Sequence, residues 1–249
     1  MITDFIYPFP PLITGRLIKR YKRFFADIEL ETGEIITAHC PNTGPMTGVS
    51  TLFSLVQVSQ QNNPKRKLKY TWETIQVNQT WVGINTALPN KIIKIMLEKR
   101  LLSNCLGEYD YIYSEVAYGK EKKSRIDFLL TSDNPLVKPI YIEIKNTTLT
   151  DGKVAVFPDT VTTRGQKHLQ ELMDLVPNAQ PIMLYFINRS DCRQFAPGDL
   201  TDSFYSQLFR EAITKGVQVL PCRFEVAPQG IRYLGIAEYL LYQPSFKPL

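Results

Sequence analysis

From Leu12 to Asn85 the chain is a succession of short alternating stretches rich in Ile, Val, Thr and aromatic residues, broken by Thr-Gly, Asn-Pro and Asn-Thr-Gly turn signals. A period of two puts one face of each stretch in a core and the other in water, so this part folds as β-structure. Strands are expected at Gly15–Arg20, Phe24–Leu30, Ile35–Cys40, Leu52–Val58, Leu68–Val77 and Trp81–Ile84. The pattern changes at Pro89. Behind this residue, which is favoured in a first helical turn, Ile92, Ile93, Met96, Leu97 and Leu101 recur at helical spacing.

The number of N-terminal strands suits a small closed barrel of the OB-fold kind. Beyond the first helix, strands at Tyr111–Tyr118, Arg125–Thr131, Ile140–Asn146, Ile182–Asn188 and Val217–Phe224 mix with helices at Thr163–Leu175 and Asp202–Lys215. That alternation describes an α/β domain with a mixed sheet. The expected organisation is therefore two domains, an OB-like barrel over residues 1–85 and an α/β domain over 86–249.

Two basic runs lie in the first domain. Arg16, Lys19, Arg20, Lys22 and Arg23 fall within eight residues without an acid, and Lys65, Arg66, Lys67 and Lys69 within five. Tyr21, Phe24 and Phe25 interleave with the first run, and Tyr70 and Trp72 follow the second. Cations release the counterions of a phosphate backbone and exposed rings stack on bases, which suits nucleic acid that is single-stranded or distorted. The alternative for each run is a solvated strand edge with its rings in the core.

Other classes lose support. The formal net charge of +5 is mild, and no stretch approaches the roughly 18 apolar residues of a membrane-spanning helix. The start, Met-Ile-Thr-Asp-Phe-Ile-Tyr-Pro-Phe-Pro-Pro-Leu, has an early acid rather than a basic stretch before an apolar one, so the mature chain is expected to begin at Met1. Cys40, Cys105, Cys192 and Cys222 form no Cys-x-x-Cys pair, which fits thiols in a reducing cytoplasm. With only His39 and His168, a multi-histidine metal site is excluded. Dinucleotide-binding, P-loop and Gly-x-Ser-x-Gly signatures are absent.

One constellation can carry chemistry. Asp127 is followed, after fifteen residues, by Glu143-Ile-Lys145. On a strand, Glu143 and Lys145 share a face at about 6–7 Å while Ile142 and Ile144 take the other. With Asp127 on a neighbouring strand, the two carboxylates could hold Mg²⁺ or Mn²⁺, and Lys145 would orient water or stabilise charge on a phosphate. Glu115 could add a third carboxylate or pair instead with Lys122 or Arg125. A salt-bridged sheet face is the plain alternative.

The Asp…Glu-x-Lys pattern resembles the PD-(D/E)XK nuclease-like superfamily. There the helix after the Glu-x-Lys strand often adds a polar or basic residue to the site, which implies Gln166 and Lys167 here; His168 on the same helix is a further acid–base option. More specific is a set of motifs in order along the chain. Leu17-Ile-Lys-Arg-Tyr-Lys-Arg-Phe24, Thr37-Ala-His-Cys-Pro-Asn-Thr-Gly44, Asn63-Pro-Lys-Arg-Lys-Leu68, Val82-Gly-Ile-Asn-Thr86, Ser124-Arg-Ile-Asp-Phe-Leu-Leu130 and Arg164-Gly-Gln-Lys-His-Leu169 resemble the sugar fermentation stimulation protein A (SfsA) family. The resemblance implies an OB-like barrel joined to a nuclease-like domain, with DNA binding as the activity and a role in regulating genes for sugar, especially maltose, use. Two functions stay open: a DNA-binding, metal-dependent phosphodiesterase, or a non-catalytic DNA-binding regulator.

Overall fold

The computed structural model describes residues 4–119 and 124–244. After β1 (Tyr7–Pro8), the first domain contains β2 (Leu12–Tyr21), β3 (Phe25–Leu30), β4 (Ile35–His39), β5 (Leu55–Gln60), β6 (Tyr70–Val77) and β7 (Thr80–Gly83). Strand β2 pairs antiparallel with β3 and β5, β3 pairs with β4, and β5 with β6. A short parallel pairing of Ala38 with Tyr70 and His39 with Thr71 joins β4 to β6 and closes a five-stranded barrel. This strand order is that of an OB-fold. The alternate residues Leu17, Ile28, Val56, Val58, Trp72 and Ile75 fill its core completely shielded from solvent.

Two strands of the barrel, β5 and β6, start two or three residues later than the sequence suggests. Leu52 and Phe53 are exposed and precede β5; the left-handed backbone of Phe53, with φ of 64°, breaks the regular extended run there. Residues before Tyr70 carry the second basic run in a loop.

The second domain runs α1 (Leu88–Glu98), α2 (Ser103–Leu106), β8 (Tyr111–Tyr118), β9 (Ser124–Thr131), β10 (Ile140–Thr147), β11 (Thr150–Asp151), β12 (Val154–Phe157), α3 (Thr163–Met173), β13 (Gln180–Ile187), β14 (Gln194–Pro197), α4 (Ser203–Lys215), β15 (Gln218–Ala227), β16 (Gly230–Ile236) and β17 (Glu238–Tyr239). Its main sheet has the order β1-β16-β15-β13-β10-β9-β8. Strands β10, β13 and β15 are parallel and their neighbours antiparallel, so the sheet is mixed. Parallel strands are buried on both faces. Ile142, Ile144, Leu184 and Phe186 pack under α1, while Met183, Tyr185 and Ile187 pack under α3 and α4. A smaller sheet, β11-β12-β14-β17, lies beside it.

Strand β1 lies within the residues expected to form the barrel domain, yet it pairs with β16 of the main sheet. Burying Ile6 in the second core drives this, with Tyr7 and Phe9 packed alongside. The junction is tight elsewhere too: the Gly83 amide donates to the Asn188 carbonyl at 3.0 Å, and the Asn188 side-chain amide donates back to the Gly83 carbonyl at 3.1 Å. A Cβ at Gly83 would sit 2.2 Å from the Asn188 side chain, so only glycine permits this approach.

Among the described residues no helix is long and apolar enough to cross a membrane. All four cysteines are free, with Cys40, Cys192 and Cys222 buried.

Candidate metal centre and nucleic-acid interface

Strands β9 and β10 pair from Leu130–Ile140 to Phe128–Ile142 and then part. At the point of separation Asp127 stands in for the missing ladder partner: its Oδ2 accepts the backbone N–H of Ile144 at 2.7 Å. The other oxygen, Oδ1, accepts from the side-chain amide of Asn90 at 2.8 Å. Asn90 lies in the first turn of α1, so the helix that begins the second domain helps hold the carboxylate.

Glu143 is buried on β10, with its side chain only 5% exposed. Its Oε1 accepts a 2.7 Å bond from Lys145 Nζ and a short one from His168 Nδ1 on α3. Arg164 Nε, which can only donate, sits 3.4 Å from His168 Nε2. Lys145 Nζ, also a donor, lies 3.1 Å from Nδ1, and a proton on Nδ1 is the one that serves the contact to Glu143. Glu143 Oε2, in contrast, is buried without a hydrogen-bond partner.

Charge follows this geometry. Burial opposes ionisation of Glu143, but Lys145 and His168 together outweigh it and hold the carboxyl below the usual carboxylate range. Asp127 goes the other way: burial, reinforced by the Glu143 charge, pushes it up to about 6 despite the bonds from Ile144 and Asn90 and the pull of Lys145. Two carboxylates whose environments move them apart share one small space.

Asp127, Glu143 and Lys145 are thus brought together, while the auxiliary residues divide. Gln166 turns away, its amide donating to both carboxylate oxygens of Asp202 at 3.0 and 2.9 Å. Asp202 caps α4 through the Tyr205 amide and also accepts from the Thr162 amide, so Gln166 ties together the starts of two helices. Glu115 is exposed where the β8–β9 pairing is interrupted without a change of register, and its φ is 55°. It does not join the pair, and no three His, Cys, Asp or Glu side chains cluster around a common metal position among the described residues. Lys122 lies outside the described residues, and Arg125 reaches the backbone carbonyl of Glu115 rather than its carboxylate.

Lys167 is half-exposed, donates to Ser124 Oγ at 3.0 Å and pairs with Glu171 at 3.5 Å. Together Arg125, Arg164 and Lys167 ring a cleft of about 370 Å³ with Glu115, Ser124 and His168. His168, which contacts the buried Glu143, is among the lining residues, so the cleft lies next to the acidic pair. The sequence missed Asn90 altogether, and placed His168 only as an option; for both, the one legible signal was a polar residue in the first turns of an amphipathic helix.

The N-terminal basic runs are less uniformly exposed than their sequence suggests. Arg20 is half-buried and donates to the carbonyls of Asn42 and Gly44 at 3.0 and 2.9 Å, and Arg23 donates to that of Thr43 at 2.6 Å. These two hold the Asn42–Gly44 loop in place. Arg16 donates to the Phe53 carbonyl from an exposed position, and Lys19 lies over the Tyr21 ring. Lys22, Lys65 and Lys67 are exposed, whereas Arg66 folds back to donate to Thr71 Oγ1 at 3.2 Å. Trp72 is fully buried and cannot stack on a base, while Phe24 is 49% exposed.

Comparison with known proteins agrees with this architecture. Residues 18–84 match the SfsA N-terminal OB domain, and residues 87–230 match the sugar fermentation stimulation protein RE domain. A sugar fermentation stimulation protein homologue of Crocosphaera subtropica is 67% identical over 238 residues, covering 96% of this chain and 99% of that protein. One from Rippkaea orientalis is 65% identical, covering 96% and 99%. The structure of Pyrococcus furiosus SfsA in complex with Ca²⁺ superposes with a TM-score of 0.83 at 22% identity, over 96% of this chain and 100% of that one. Two domain matches in tandem and full-length relatives at this identity place the chain in the sugar fermentation stimulation protein (SfsA) family.

Proposed function

We propose that this chain binds DNA, single-stranded or distorted, and cleaves its phosphodiester bonds with the help of Mg²⁺ or Mn²⁺. The observation that carries the reading is the buried, unpartnered Oε2 of Glu143 beside Asp127. Two carboxylates that feel each other's charge, one with an oxygen free of hydrogen bonds, form a hard donor set, and Mg²⁺ is typically held by one or two carboxylates together with water and substrate phosphates. The residues therefore fit the cation, and the Ca²⁺ complex of the Pyrococcus furiosus relative is consistent with that chemistry. When bound, the metal supplies Lewis-acid polarisation of a phosphate and a more acidic water.

The protein's own groups do the rest. Asp127 and Glu143 hold the cation, and His168 fixes Glu143 through its Nδ1. Lys145 presents an ammonium to the charge that develops on the phosphate. Arg125, Arg164 and Lys167 bind flanking phosphates along the cleft. The second reading, a non-catalytic regulator of sugar-use genes, draws on Lys145 and His168 already offsetting the Glu143 charge without a metal.

Incubation with single-stranded, duplex and branched DNA in Mg²⁺, Mn²⁺ or EDTA separates the two. Cleavage with metal and none in EDTA is expected; binding of all substrates with cleavage of none rejects the phosphodiesterase for those substrates and leaves the regulator. Metal affinity should also depend on pH. Asp127 is neutral below about 6 and charged above, so Mn²⁺ affinity is expected to fall about tenfold per pH unit below that value and to level off above it. Titration by electron paramagnetic resonance checks this, and an affinity unchanged between pH 5 and 7 would remove Asp127 from the ligand set.

A further inference from the structure

A cavity of about 730 Å³ lies where the barrel, α1 and the β1 segment meet. It is a separate place from the Asp127–Glu143 centre, and its size is that of a small-molecule site. At its floor sits Glu73, 5% exposed. Glu73 Oε1 accepts from Ser59 Oγ at 2.6 Å, and Oε2 accepts from the Asn85 amide at 2.8 Å. Both donors are themselves anchored: Gln61 donates to Ser59 at 2.8 Å, and Asn85 accepts the Ala87 amide at the start of α1. The carboxylate is held rigidly by neutral groups. Burial outweighs the help of these donors and of the more distant Lys91 and Arg66, and raises its pKa.

A carboxylate has about four acceptor positions. Two are used here, leaving one on each oxygen. Arg66 and exposed Lys91 stand on the walls as cations, and Tyr7 and Phe9 add aromatic rings packed edge to face. A ligand that uses all three features needs an anion, a flat ring and two adjacent N–H donors on that ring.

We infer that this interdomain cavity binds a nucleoside monophosphate unit, with its base edge read by Glu73 and its phosphate held by Arg66 and Lys91. Guanine is the favoured base. Its N1–H and exocyclic amino group give two parallel donors to one carboxylate, whereas thymine offers one donor between two acceptors. The unit is either a free nucleotide or an unpaired nucleotide of a strand; in the second case the inference rests on the DNA-binding reading above.

The test measures binding of GMP, AMP, CMP and TMP by calorimetry, and of a ten-residue oligothymidylate with or without one central dG by fluorescence anisotropy. Wild type, Glu73→Gln and Lys91→Ala are compared, the last being a surface change that leaves the fold undisturbed. GMP is expected to bind about tenfold or more tightly than TMP, a preference abolished by Glu73→Gln. Lys91→Ala should weaken all four nucleotides alike. GMP binding without any dG effect assigns the free nucleotide, and a dG effect assigns the strand. If the oligonucleotide binds but neither GMP nor the single dG makes a difference, the cavity inference falls and DNA binding stands. If GMP binds and the oligonucleotide does not, DNA binding falls and the cavity inference stands. If neither binds, both fall.

Discussion

Replacing Glu143 by glutamine is expected to reduce metal-dependent DNA cleavage by about 10³-fold or more while leaving DNA affinity within a few-fold of wild type. The reason lies in the two unlike oxygens. Oε1 takes donors from Lys145 and His168, and Oε2 faces outward from those bonds with no partner. An amide must put its NH₂ on one side or the other. Facing Lys145 and His168 it meets donors; facing the open side it offers a donor where a cation needs an acceptor. Either orientation removes the charge that raises Asp127, so the Asp127 pKa should drop in the same variant. Cleavage assays, Mn²⁺ binding and a thermal melt on the same preparation give three readouts. A variant that melts as wild type does and still cleaves at the wild-type rate would show that the chemistry resides elsewhere.

Gly83→Ala is expected to destabilise the protein by roughly 2–5 kcal/mol, from overpacking and the loss of buried hydrogen bonds. The added Cβ meets the Asn188 side chain at 2.2 Å. Neither side can give way. Val82 and Ile84 on either side of the glycine are locked in the barrel core, and Asn188 is 1% exposed and also bonds Asn146 at 3.1 Å. For a chain of this size the melting temperature should drop by about 5–15 °C. The double variant Gly83→Ala/Asn188→Gly, which removes the clashing side chain, should recover part of the loss, because neighbouring changes couple. Additive losses would mean that the seam is not where the cost arises.

Much of this protein is legible in one dimension because β-structure has a fixed period. Alternation along Leu12–Asn85 announced the barrel, and alternation along Tyr141–Lys145 put Glu143 and Lys145 on one face with Ile142 and Ile144 on the other. The switch to helical spacing after Pro89 marked the start of α1, which begins at Leu88. These are local properties, set by backbone geometry and by which residues avoid water. The short strands β11, β12, β14 and β17 left no such trace, since two to four residues are too few to show a period.

What only the tertiary structure decided concerns partners distant in the chain. No local rule sends Tyr7–Pro8 to an edge more than two hundred residues away; the exposed hydrogen-bonding groups of β16 and the apolar surface waiting for Ile6 do. The same holds for Arg20 and Arg23, whose run reads as a binding patch until the carbonyls of the Asn42–Gly44 loop claim them as donors. His168 and Asn90 reach the acidic pair only because α3 and α1 pack against the sheet that carries it. The sequence by itself determined which residues could carry charge or chemistry and which strands held them. The packed structure decided which of those charges are spent on holding the fold and which remain free, because a buried polar atom must find a partner wherever the chain can bring one.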